Sequence, residues 1–185
     1  MYLLLLGLAI FIGIHLLPSC PGLRRGIITR LGEKSYKLIF ALIAVVGLVI
    51  VAIGKTRAPF IQVWEPPVWG RDASYLLMLI SFILVTAAYL PGNIRRFTRH
   101  PMLWGVVLWS IAHLLSKGDA AAMTLFSAIG LFALFDMISS NLRGARLSTE
   151  KLPLNRDLTV LLIGVVTYFV VLTVHPAWSG FRMLR

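Results

Sequence analysis

The chain has 185 residues, of which 58% are hydrophobic and 14% charged. A soluble domain carries roughly a quarter charged residues, so the composition excludes an ordinary water-soluble globule. Eighteen Lys and Arg face seven Asp and Glu, a net charge of +11. On a soluble protein this excess would suggest nucleic acid, but its distribution along the chain excludes that partner.

Charge-poor stretches cover 2–23, 38–54, 73–92, 101–116, 120–140 and 158–177. Runs this apolar read as membrane-spanning helices. The fold predicted is an all-α, polytopic helical bundle of about six transmembrane helices, forming a single domain over residues 1–185.

The first run ends at "PSCPGLRR". It has no basic leading region and no clear small-residue cleavage site, so it reads as a span rather than a removable signal. "LPSC" faintly resembles a lipoprotein box, and its proline argues against acylation. Cys20 is the single cysteine, which rules out an internal disulfide or a thiolate cluster. A small buried residue near the membrane face is expected there.

After the second run comes "KTRAPFIQVWEPPVWGRD". Its prolines and Gly70 forbid a regular helix, while Phe60, Trp64 and Trp69 are too apolar for a free loop. Interfacial anchoring by the tryptophans is expected, with a structured lid as the alternative. "LPGNIRRFTRHP" turns the chain into the fourth run, with Pro101 suited to a first helical turn. That run is the shortest, and Lys117 can snorkel to extend it. "SSNLRGARLSTEKLPLNRD", after the fifth run, reads as a polar loop with a short amphipathic segment on the leaflet.

The loops after the first, third and fifth runs hold twelve of the eighteen cations. Arg24, Arg25, Arg30, Lys34 and Lys37 are in the first, Arg95, Arg96 and Arg99 in the second, and Arg143, Arg146, Lys151 and Arg156 in the third. The positive-inside bias puts these loops in the cytoplasm and both termini outside. The basic charge is then a topology signal with possible contact to anionic lipid, and the bilayer, not nucleic acid, is the partner.

Ionisable groups within spans are functional candidates by default: His15, His113 and Asp136, with His100 and His175 at the borders. At ~1.5 Å per residue, His113 lies about 20 Å beyond Arg99, deep in the fourth span. His100 stays at the boundary, about 220° around the helix from His113, so these two cannot share a small site. If the first span runs to Arg24, His15 lies roughly 13 Å deep, within about 7 Å of the depth of His113. Two imidazoles at similar depth suggest a ligand pair. No further Cys, His or carboxylate completes a zinc shell, whereas two imidazoles suffice for a haem iron whose macrocycle supplies four nitrogens. Ser110, three residues before His113, is placed to hydrogen-bond it. Gly7, Gly13, Gly105, Ala112, Gly130 and Gly164 would admit a flat ring or close helix packing. Asp136 is expected to bond the inner loops or pair with Arg99 or another arginine. His175, beside Pro176, reads as an interfacial residue. No serine nucleophile with its base, phosphate-cradling loop or nucleotide fold is present.

Two segments, "FIGIHLLPSCPGLRRGIITRLGEKSYKLIFALIAVVGL" and "RHPMLWGVVLWSIAHLL", resemble the NnrU family of membrane proteins over essentially the full length. That family is linked to bacterial denitrification and related to 15-cis-zeta-carotene isomerase. The resemblance implies an inner-membrane protein, and in the isomerase branch it implies a b-type haem held by two histidines, which fall here on His15 and His113. Where the isomerase has a cysteine, this chain has Ser110. Where it has a later histidine pair, this chain reads "LFALFD" with Phe132. The simple bis-histidine site is retained by these departures, while ligand switching is not implied. Alternatives implied by the resemblance are a non-catalytic maturation factor for a respiratory nitrogen-oxide reductase, with respiratory membrane proteins as partners, and a cis-trans polyene isomerase. "RHPMLWG" is also similar to a signature of membrane methyltransferases that use S-adenosylmethionine. Leu103 replaces its tyrosine and the acidic partners are missing, so His100 with Arg99 is assigned a structural role at the helix start.

Overall fold

The computed structural model describes residues 1–179; Arg182 and Arg185, counted in the charge pattern, lie outside them. The described residues form seven α-helices: α1 (Tyr2–Leu16), α2 (Pro21–Leu31), α3 (Glu33–Arg57), α4 (Gly70–Tyr89), α5 (Pro101–Ser116), α6 (Ala120–Leu142) and α7 (Leu154–Ser179). Five helical segments are long and apolar enough to cross a membrane: Tyr2–Ser19, α3, α4, α6 and Leu154–His175. With 16 residues, α5 is shorter and spans about 24 Å.

Proline and glycine set most of the helix ends. The first span does not run unbroken to Arg24 as expected. Pro18 stops α1 at Leu16, a short 3-10 turn (Leu17–Ser19) follows, and Pro21 starts α2 from its first turn. The depth argument for His15 loses its basis, because His15 sits one residue from the end of α1 rather than inside a longer helix. Gly32, at φ 78°, ends α2 in a conformation that side chains avoid. Gly144, at φ 89°, closes α6, and the Ala145 N–H returns to the Ser140 carbonyl. The stretch after it, expected to hold an amphipathic helical segment, is irregular as far as Pro153. The short basic helix is α2, at the other end of the sequence. Cys20 is exposed at that elbow, not buried.

The helices pack in the order α3, α1, α6, α5, α4, α7. Leu4 and Leu8 of α1, Val51 of α3 and Ala122, Leu125 and Phe126 of α6 make the main core. Val107 of α5 packs with Ala133 and Met137 of α6 in a second cluster. Leu38, Leu42, Val45 and Val49 of α3 face outward, as suits a helix whose solvent is lipid. A helix satisfies its own backbone, so side chains alone meet the hydrocarbon. The glycines expected to leave room for a ring are mostly filled by neighbouring helices. Gly7 lies against Val51, Gly105 against Val85, Gly130 against Ser110 and Gly164 against Ile83, whereas Gly13 faces open space.

The end that carries the basic loops is tied by Asn93. Its Nδ2 donates to Asp157 Oδ2 at 2.7 Å and to the Leu152 carbonyl at 2.8 Å, while its Oδ1 accepts the Leu152 N–H at 3.0 Å. One side chain thereby fixes the turn after α4 to the start of α7. Asn93→Ala leaves Asp157 and the Leu152 backbone without these partners, and a loss of about 1–3 kcal/mol is expected. Thermal unfolding in detergent measures it.

Candidate functional site

His15 and His113 occupy separate aromatic nests. On α1, His15 Nδ1 lies 2.7 Å from the Phe11 carbonyl of the preceding turn. Its ring meets Phe11 at 4.3 Å, Phe40 of α3 at 5.1 Å and Phe132 of α6 at 6.1 Å between centroids. On α5, His113 Nδ1 lies 2.8 Å from the Trp109 carbonyl. Its ring stacks on Phe126 of α6 at 4.3 Å and 21°, with Trp109 at 5.0 Å. Phe126 and Phe132 are six residues apart on α6, about 9 Å in rise and 120° in direction. The two nests therefore open on different turns and faces of α6, and among the described ring contacts none joins the two imidazoles.

It brings His113 to His175 instead, with ring centroids 6.2 Å apart. Both line a cavity of about 70 Å³ between α4, α5 and α7, at the end of the bundle opposite the basic loops. Met78, Phe82 and Tyr168 give it apolar walls, and Arg71 and Lys117 stand at its edge. Ser74, on its wall, is occupied in bridging helices: its hydroxyl donates to the Gly70 and Ala112 carbonyls at 2.7 and 2.6 Å. His175, expected to be a plain interfacial residue, faces this cavity. Its signal was an imidazole near the end of the last span, which only tertiary packing could pair with α5.

The other candidates have structural neighbours. Ser110 is buried against Gly130 and its hydroxyl has no hydrogen-bond partner, so it does not serve His113, which bonds its own turn. His100 Nε2 and Arg99 Nη1 both reach Asn141 Oδ1 at 3.1 Å, tying the start of α5 to the end of α6. Asp136 pairs with Arg143 at 3.4 Å rather than with Arg99. The proline-rich connection before α4 is a built loop. Val63 and Trp64 N–H donate to the Gly118 carbonyl, the Ala120 N–H donates to Ile61, and Trp64 Nε1 reaches the Lys117 carbonyl at 3.2 Å. Phe60, Val68 and Trp69 remain exposed, which agrees with anchoring at the interface.

Beneath this loop lies Asp119, 6% exposed. It accepts the Ala122 N–H at 2.9 Å, capping α6, and pairs with Lys55 Nζ at 2.6 Å. Burial alone would raise its pKa. The bonds from Lys55 and Ala122 and the nearby Lys117 outweigh that and hold the carboxyl below its usual range. Burial lowers Lys117, with the Lys55 charge acting in the same direction and Asp119 opposing.

Among the described residues no group of three or more His, Cys, Asp or Glu is placed to hold a metal ion. A neutral imidazole whose Nδ1–H is held by a backbone carbonyl presents Nε2 as a ligand, and His15 and His113 each have that partner. Each can therefore serve as a single imidazole ligand. The cavity beside His113 takes a few waters at most, so a macrocycle fits there only if α4, α5 and α7 part.

No curated protein and no solved structure matches the chain. The family model described as NnrU protein matches residues 3–183. With nearly every residue inside that match, an all-helical membrane bundle around it and both quoted segments in place, the chain belongs to the NnrU family.

Proposed function

We propose that this NnrU-family chain is a multi-pass inner-membrane protein that binds b-type haem through His113 and acts in nitrogen-oxide-linked redox metabolism. Its basic loops face the cytoplasm and its termini the outside, following the charge bias. The observation that carries the haem reading is the Nδ1 contact of His113 with the Trp109 carbonyl, which leaves Nε2 as donor. The denitrification link rests on the family resemblance alone.

His15 enters as second ligand through that resemblance, and the same Nδ1 arrangement with Phe11 supports it. His175 is supported by proximity to His113. Bound haem would supply one-electron transfer, and two imidazole ligands leave no open position at the iron. The chain's own part is to hold each ring by its Nδ1 contact among aromatic side chains.

Absorption spectra of the purified protein before and after dithionite test this reading. Wild type is expected to show a Soret band that His113→Ala loses. A weakened, shifted band in either His15→Ala or His175→Ala identifies the second ligand. Wild-type protein without a Soret band, or His113→Ala with an unchanged one, overturns the reading.

A further inference from the structure

A second cavity, unrelated to the His113 site, opens at the basic end of the bundle. It is a groove of about 860 Å³, lined by Arg24 and Arg25 of α2, Tyr36, Lys37 and Phe40 of α3, and Arg143 after α6. Four cations from three separate elements converge there, and among the described residues no carboxylate lines the groove. Glu33 pairs with Lys37 at 2.7 Å from the exposed side, and Asp136 lies at 3.4 Å from Arg143. Arg143 is also held by Ser139 and by Ser140 at 2.8 Å. Arg24 is stationed over the Tyr36 ring, 5.5 Å from its centroid. After those pairings the positive excess of the groove resides mainly in Arg24 and Arg25.

We infer that this groove binds the phosphate-bearing headgroup of an anionic phospholipid. Guanidinium groups match phosphate oxygens in a bidentate fork, and basic pockets between spanning helices favour anionic headgroups. A lipid is favoured over soluble phosphate because exposed apolar residues adjoin the lining cations along the chain: Leu23 beside Arg24 and Leu38 beside Lys37 are 59% and 60% exposed, where acyl chains would lie. Arg24 and Arg25 act on the phosphate directly, while Phe40 closes the floor.

Native mass spectrometry of the purified full chain with added phosphatidylglycerol or phosphatidylcholine tests the inference. Wild type is expected to retain phosphatidylglycerol preferentially. At about fivefold per cation, Arg24→Gln/Arg25→Gln is expected to weaken retention roughly 30-fold. Arg24→Lys/Arg25→Lys keeps the charge without the fork and should restore part of it, which separates loss of charge from misfolding. Arg30→Gln/Lys34→Gln removes the same charge from the same end outside the groove and should leave retention almost unchanged. Equal losses in the two Gln pairs would reduce the effect to diffuse surface charge and overturn the site. Equal retention of both lipids would overturn it too, and displacement of the lipid by millimolar inorganic phosphate would overturn the lipid assignment.

Discussion

Asp119→Ala is expected to destabilise the folded bundle by about 3 kcal/mol, the lower end of the cost of removing one partner from a buried ion pair. The lower end applies because the Lys55 side chain is 30% exposed and can partly rehydrate. Loss of the cap on Ala122 falls within the same figure. Chemical unfolding in detergent, compared with Asp119→Asn, measures it, and the amide should recover part of the cap. The sign of the pH dependence follows from a carboxyl held below its ordinary value of 3.8. Its contribution is complete above that value, where the unfolded group is also ionised, and is lost as pH falls through the lower folded value. Wild type should therefore lose stability on acidification below about pH 4, and Asp119→Asn should lose less. A flat difference between the two from neutral to strongly acidic pH would show that Lys55 adds nothing through Asp119.

Gly54→Val is expected to cost about 3 kcal/mol, the upper end for overpacking. A Cβ at Gly54 would collide with the backbone of Leu4 and Leu3, and at Gly7 it would lie 2.5 Å from the Val51 nitrogen. Backbone cannot move aside as a flexible side chain can, so α1 and α3 must separate along their whole contact. Gly13→Val, on α1 with nothing within 4 Å, should stay within about 0.5 kcal/mol of wild type. Thermal unfolding of the two variants side by side gives the comparison, and equal effects would deny the close approach its role.

The spans were legible because apolar length is a local property, and Pro101 and the loop cations could be read directly. The break at Pro18 has a readable signal, a helix-ending proline followed closely by Pro21, but it lies within a charge-free run that reads as one span. Asp119 carried a readable signal: an aspartate directly before "AAAM" is a cap signature, yet its bond to Lys55 joins residues 64 positions apart. The His113–His175 approach was not legible, because it depends on α7 packing beside α4 rather than on any spacing. Similar membrane depth does not by itself set lateral distance: the rings of His15 and His113 meet α6 at Phe132 and Phe126, about 9 Å apart in rise and 120° apart around the helix.

The pair α1–α3 is clasped to its neighbours at one end by Lys55, Asp119 and the hydrogen-bonded loop. At the other end it meets α6 through the rings of His15 and Phe132. Ring contacts slide at little cost, whereas a buried ion pair does not. Of the two ends, the one at Lys55 and Asp119 is therefore the more rigidly joined.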